Sequence, residues 1–520
     1  MRNPVPLLHD FLHDTARRLP EKVALVAQKR RVTYAEIEAS ANALAHALAA
    51  RGVSRGDRVV IFAENTVETV VAFWAVLAAG AVVSIVSPLT KADKLTYLLN
   101  DCRAVALIAD GHLARVFVGA AARAPHLRTV VVTGTFDPTR LEGLPGVVAW
   151  ADALAGEPVH LPPPRRCLEV DLAAIIYTSG STGDPKGVML THRNMLTAAT
   201  SVLSYLETEE DDVILGVLPL AFDYGLYQVI MACAVGARLV LERGFAYPAQ
   251  VLEVIVEEKV TGFPGLPTLF AVLAELDHAG AYDFSSIRYV TNTAAALPVR
   301  HIRVLREIFP NARIFSMYGL TECKRCTYLP PEDLDRKPTS VGIAIPNTEL
   351  WLVGEDGEKL GPGEVGQLVI RGATVMKGYW EKPEATARKL RPGPIPGELV
   401  LYTGDLCRLD EEGYLYFVGR MDNIIKSRGE KVAPREVEDA IHAIAGVKEC
   451  IVVGVDDPLL GQAVKAFVVP AAGATLAPRE IILACQRRLS SFMVPKYVEI
   501  LGELPTTNTG KTTIPPPKPA

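Results

Sequence analysis

The run YTSGSTGDPKG, Tyr177 to Gly187, puts glycines, hydroxyl side chains and one lysine directly after the apolar stretch LAAII. Glycine lets a backbone close tightly, and amide and hydroxyl donors pointed inward make a cradle for phosphate oxygens. Thr178, Ser179, Gly180, Ser181, Thr182 and Gly183 are the candidate cradle, and Lys186 brings positive charge. The order excludes the P-loop of common nucleotide triphosphatases, because Lys186 stands between Pro185 and Gly187 with no following Ser or Thr. A plain glycine- and serine-rich turn is the competing reading.

Such a loop needs strands and helices to hold it. Helical periodicity over Tyr34 to Ala50 and an apolar run at Arg58 to Phe62 begin an alternation that predicts α/β layers. Further strands are predicted at Leu172 to Tyr177, Val213 to Leu218, Ala237 to Leu241, Arg288 to Asn292 and Arg313 to Met317, with the motif residues near strand ends, where open α/β sheets carry their sites. Thr69 to Thr90 is uncharged and long enough to span a bilayer, but Gly80 and the following SIVSP read better as a buried helix, a glycine turn and a core strand. LPPPRR, Leu161 to Arg166, cannot continue a helix and reads as a connector. After Gly419 helices at Pro434 to Ile444 and Pro478 to Leu489, with strands at Glu449 to Val455 and Ala463 to Val469, form a small α+β unit. The predicted division is a large domain over 1–421 and a small one over 422–520.

The 520 residues carry a formal charge of -5, which offers no general attraction to nucleic acid. Eight scattered cysteines do not resemble a secreted disulfide scaffold, and the first residues lack the apolar core of a signal peptide, so a cytoplasmic enzyme is expected. Cys323 and Cys326 form a lone CxxC without a second pair, and the ten histidines show no ligand spacing, so no zinc or redox site is expected from them.

The loop at 177–187 resembles the signature of the adenylate-forming superfamily, which includes acyl-CoA synthetases, nonribosomal-peptide adenylation domains and firefly luciferase. Four more segments are similar to the family's in the same order: MYGLTE (Met317 to Glu322), YTGD (Tyr402 to Asp405), GRMDNIIKSRGEKV (Gly419 to Val432) and PTTNTGK (Pro505 to Lys511). The resemblance implies a large N-terminal domain of α/β subdomains hinged to a small C-terminal α+β domain. It implies ATP and Mg2+ as cofactors, Tyr318 and Gly319 at adenine, Thr321 at the AMP phosphate, Glu322 on magnesium, Asp405 and Arg420 at the ribose, and Lys511 as the catalytic lysine. Asp422 would be the pivot and Gly429 would leave room for a pantetheine arm. A carboxylate attacking the α-phosphorus meets charge repulsion, so Lys186, Lys511 and magnesium on Glu322 would gather the needed positive charge. Asp405, an acceptor-only carboxylate, suits two ribose hydroxyls, or else caps a helix.

The acid is less legible. Phe222 stands where many fatty and aryl acyl-CoA synthetases carry histidine, and Phe222 with Asp223 resembles the pair of peptide-synthetase adenylation domains whose aspartate holds an α-amino group. A buried carboxylate needs a cation, so Asp223 predicts a substrate ammonium, the alternative being a carboxylate bonded to backbone at a helix start. Tyr224, Tyr227, Pro264, Val290, Asn292, Met317, Arg325 and Cys326 are candidate pocket walls, and the two tyrosines favour a small or flat acid. Arg325 would pair with a second substrate carboxylate if it points inward and means nothing if it lies on the surface. The favoured expectation is transfer of an amino acid, or a small amino-bearing acid, to the phosphopantetheine of a carrier protein. An acyl- or aryl-CoA synthetase using free coenzyme A is the alternative, and a non-catalytic nucleotide-binding protein a distant third.

Overall fold

A computed structural model describes residues 7–155, 161–164, 167–178, 184–274, 276, 282–293, 299–428, 430–457, 459–505 and 515. The chain forms two compact units: Met1–Thr339 with Ala344–Glu349 and Arg371–Leu399, and Ser340–Ile343 with Leu350–Ile370 and Val400–Ala520. The predicted mixed α/β class is borne out.

The first unit holds two sheets. In one, the strands Gly378–Tyr379, Lys186–Thr191, Leu172–Thr178, Val82–Val86, Arg58–Phe62, Ala106–Asp110, Thr129–Thr133 and Val147–Ala149 lie side by side in that order. Its central strands run parallel and are buried on both faces, hence their unbroken apolar sequences. The uncharged stretch folds as the residues require: helix Val67–Ala78, Gly80 in the left-handed region at φ +77°, then strand Val82–Val86. Among the described residues no helix is long and apolar enough to cross a membrane.

In the other sheet the order is Thr327–Leu329, Arg313–Tyr318, Tyr289–Asn292, Gly262–Gly265, Val213–Gly216, Arg238–Leu241, Val23–Ala27 and Arg30–Thr33. Helix Asp223–Val235 connects two of these strands and stops at Gly236, whose φ of +90° suits the turn. Its start presses on the preceding loop so closely that a Cβ on Gly225 would lie 2.4 Å from the Pro219 carbonyl oxygen. Asn65 fixes that loop by donating to the Leu218 carbonyl at 3.0 Å and accepting from the Leu220 amide at 2.9 Å.

The second unit pairs strands Leu399–Leu409 and Leu415–Arg420 as an antiparallel hairpin. It also contains the expected small domain. Helices Pro434–His442 and Pro478–Gln486 and the long strands Val447–Asp457 and Gly461–Pro470 bury Val437, Ile441, Val464, Val468 and Ile481 in one core.

Candidate active site

Thr178 pairs with Lys186 and Tyr177 with Gly187 across antiparallel strands, while Ser179, Gly180, Ser181, Thr182 and Gly183 lie outside the described residues. Gly187 is required by contact, since a Cβ there would sit 2.6 Å from Ile175 Cγ2. The other edge of the lysine strand pairs with Gly378–Tyr379, Val188 opposite Tyr379.

That pairing brings in a residue the sequence reading missed. The Tyr379 ring faces Lys186 Nζ at 5.6 Å, and its hydroxyl donates to Glu322 Oε1 at 2.7 Å. One tyrosine thus links the phosphate-loop lysine to the MYGLTE glutamate. The Met376 amide also donates to the Glu322 backbone carbonyl at 2.7 Å, fixing the main chain beneath that side chain. Thr321 and Glu322 are half-buried. The signal was present as GYW at Gly378 to Trp380, but it becomes meaningful only once the strand pairing is known.

Strand Arg313–Tyr318 turns back through Gly319–Cys326 to pair with Thr327–Leu329. The turn is tight: the Cys326 amide donates to the Tyr318 carbonyl at 2.9 Å, and a Cβ on Gly319 would lie 2.1 Å from the Lys324 carbonyl oxygen. Lys324 adopts φ +66°, which sends a lysine side chain into the interior, where it is 2% exposed. Its Nζ lies 3.6 Å from Asp223 Oδ2 and 5.0 Å from the centre of the Tyr227 ring. Burial pulls the ammonium down to about 8, against the opposing attraction of Asp223.

This geometry corrects the expectation for Asp223. The residue opens helix Asp223–Val235, yet its helix start has no side-chain cap bond, and the cation beside its carboxylate is Lys324. The charge balance that called for a substrate ammonium is met within the chain. Arg325 points inward, 7% exposed, with its guanidinium over the Tyr224 ring at 4.4 Å. Val202, Asp223, Tyr227, Met231, Lys324 and Arg325 enclose a cavity of about 10 Å³.

Of the other wall candidates, Pro264, Val290, Asn292 and Met317 lie buried on three adjacent parallel strands. The Tyr224 hydroxyl donates to the Thr291 carbonyl at 3.0 Å, and burial pushes its phenol up to about 12. Phe222 is half-buried with its ring edge-on to Tyr224. Cys326 is wholly buried with its Sγ 2.7 Å from that of Cys323, whose thiol burial raises well above its ordinary value.

In the second unit the hairpin sets Asp405 directly opposite Arg420. Asp405 is 5% exposed, its amide donates to Thr403 Oγ1 at 3.0 Å, and its Oδ1 lies 3.5 Å from Arg420 Nε. Arg420 Nε also reaches Asp422 Oδ1 at 3.3 Å. The sequence-predicted ribose pair and pivot are therefore neighbours, and the alternative of Asp405 as a helix cap falls, since it sits within a strand. Strands Ile425–Ser427 and Glu430–Val432 pair antiparallel, with Ser427 opposite Glu430. Gly429 and Lys511 lie outside the described residues.

The first unit thus carries a lysine and a glutamate linked through Tyr379, and the second a buried carboxylate facing an arginine. Residues 12–380 match the model of the AMP-binding enzyme family, and 436–511 that of the AMP-binding enzyme C-terminal domain. The chain is 33% identical to a long-chain-fatty-acid–CoA ligase of Bacillus subtilis (98% of this chain, 93% of that one) and 33% identical to a feruloyl-CoA synthase of an Amycolatopsis species (95% of each). Its structure is similar to that of the anthranilate CoA ligase AuaEII with anthranoyl-AMP, at TM-score 0.88 and 28% identity over 98% of this chain and 96% of the other. The chain belongs to the AMP-binding enzyme family, and it is an AMP-forming ligase.

Proposed function

We propose that the protein is an acyl-CoA synthetase that activates a small or flat carboxylic acid and passes it to free coenzyme A. In the first step a carboxylate oxygen of the acid bonds to the α-phosphorus of ATP while the bond to pyrophosphate breaks. In the second the coenzyme A sulfur bonds to the acyl carbon, the thiol proton is released, and AMP departs.

The observation that carries the reading is Tyr379, which orients Glu322 through a 2.7 Å hydrogen bond while its ring faces Lys186. Lys186 and Lys511 stabilise charge on the phosphates. Glu322 suits Mg2+, a hard ion that commonly takes one or two protein carboxylates together with substrate phosphates and would offset their charge. Asp405 accepts the ribose hydroxyls, Arg420 stands beside it, and Asp422 is the pivot about which 422–520 turns away from 1–421 between steps. Tyr318, Gly319 and Thr321 line the nucleotide, and Gly429 leaves space for the pantetheine arm.

Free coenzyme A takes the place of the expected carrier protein. Both relatives named above are named as forming CoA thioesters and match this chain along nearly their whole length, and Lys324 offers Asp223 a cation from within the chain, which weakens the argument for an amino acid. Tyr224 and Tyr227, buried beside the cavity, support a small or flat acid over a long chain. The test is acid-dependent ATP–pyrophosphate exchange followed by thioester formation with coenzyme A. Exchange without thioester formation would exclude coenzyme A as acceptor, and no exchange with any acid would exclude the ligase.

A further inference from the structure

The cavity beside helix Asp223–Val235 carries more positive than negative charge. Lys324 and Arg325 are 2% and 7% exposed, and Asp223, at 6%, is the one carboxylate among the residues enclosing it. Lys324 Nζ and Arg325 Nε are buried without a hydrogen-bond partner. Among the described residues Arg325 has no carboxylate within ion-pair distance, and its guanidinium rests on the Tyr224 ring alone. Buried charges are normally paired, because an unpaired one forfeits its hydration. Lys324 bears a second cost, a left-handed backbone at φ +66° in a side chain with a Cβ. Burying two adjacent cations against one anion makes sense if a second anion arrives.

We infer that Lys324 and Arg325 form an anion-holding subsite at the end of the acid pocket, which selects substrates carrying a second carboxylate. The inference rests on the ligase reading above and on Asp223 and Tyr227 lining the acid pocket. The lysine and arginine follow Glu322 by two and three positions, so the subsite and the group that faces the nucleotide are carried on one turn. The free space, about 10 Å³, holds a single water-sized group, the size of one carboxylate oxygen. Asp223 then has a positioning part: it holds Lys324 Nζ from one side and leaves the remaining ammonium donors and Arg325 Nε for the incoming anion. A methyl-ended acyl chain directed here would place apolar carbon against two desolvated cations.

The experiment is pyrophosphate exchange by the full chain on matched acids: glutaric against valeric, dodecanedioic against dodecanoic, and 4-carboxycinnamic against 4-methylcinnamic. The expected result is a kcat/KM ratio of at least about 30-fold for the diacid in one or more pairs, the range of a desolvated charge-assisted bond. Lys324→Met and Arg325→Met should each lower that ratio at least tenfold, and Lys324→Arg should retain most of it. The wild-type ratios test the subsite even if a substituted chain fails to fold. A ratio near or below one in every pair, or a ratio the substitutions leave unchanged, overturns the subsite. If monocarboxylic acids are activated with no diacid preference, the subsite falls and the ligase stands. If no acid of any pair is activated, both fall.

Discussion

Lys324 should make the stability of the protein rise with pH in a window where few proteins gain stability. Burial moves its ammonium from the ordinary 10.5 to about 8. A difference of ~2.5 in pKa at 1.36 kcal/mol each is about 3 kcal/mol of preference for the neutral amine inside the fold. The folded value lies below the unfolded one, so between pH 8 and 10.5 the unfolded chain holds the extra proton, and the unfolding free energy climbs with pH. The penalty is complete below about pH 8 and relieved above 10.5. Other groups titrate in the same range, tyrosines and thiols above all, but equally in the wild type and in Lys324→Met. The difference between the two proteins therefore isolates the lysine. Urea unfolding, followed through tryptophan fluorescence with Trp74 fully buried in the same unit, should show the wild type gaining up to about 3 kcal/mol on the variant from pH 7.5 to 10.5. The variant's loss of a partner for Asp223 shifts the whole difference curve without tilting it. A flat difference curve would refute the reasoning, because it would mean that Lys324 keeps its hydration.

Tyr379→Phe removes the bond to Glu322 while keeping the ring near Lys186; a hydrogen bond to a charged group is worth about 1.5–3 kcal/mol, so kcat for pyrophosphate exchange should fall between about tenfold and a hundredfold. Retained kcat would show that Glu322 needs no orientation. Asp405→Ala should raise KM for ATP at least about tenfold with a smaller effect on KM for the acid, since it removes the acceptors proposed for the ribose hydroxyls. Gly225→Ala should cost about 1–3 kcal/mol in unfolding free energy, because its Cβ would overlap the Pro219 carbonyl, and a variant as stable as wild type would mean that the loop before the helix yields freely.

Much of this fold was legible because its signals are local. Val67–Ala78, Gly80 and Val82–Val86 follow from apolar runs broken by a glycine, and Tyr34–Ala50 matches its helical periodicity residue for residue. Lys186, Glu322, Asp405 and Arg420 stood out because each sits in a short motif. Tyr379 did not, because its meaning depends on a strand pairing with Val188 and on a glutamate far from it in the chain. The expected boundary at 422 follows motif spacing, whereas the compact units group Val400–Arg420, paired strand to strand within itself, with the residues after it.

Asp223 and Lys324 show why a correct physical premise led to the wrong partner. A buried carboxylate does require a cation, and Lys324, far from Asp223 in sequence, offered no reason to be inside, since lysine is rarely buried unless paired. What places it there is backbone geometry: Gly319 approaches the Lys324 carbonyl, the Cys326 amide closes the turn on Tyr318, and Lys324 is left in the left-handed region facing inward. The same turn brings Arg325 in behind it. Reading the acid from Asp223 alone therefore inverted the sign of the pocket. With both cations counted, the residues lining the cavity carry two bases against one carboxylate, and on that balance the proposed anion subsite rests.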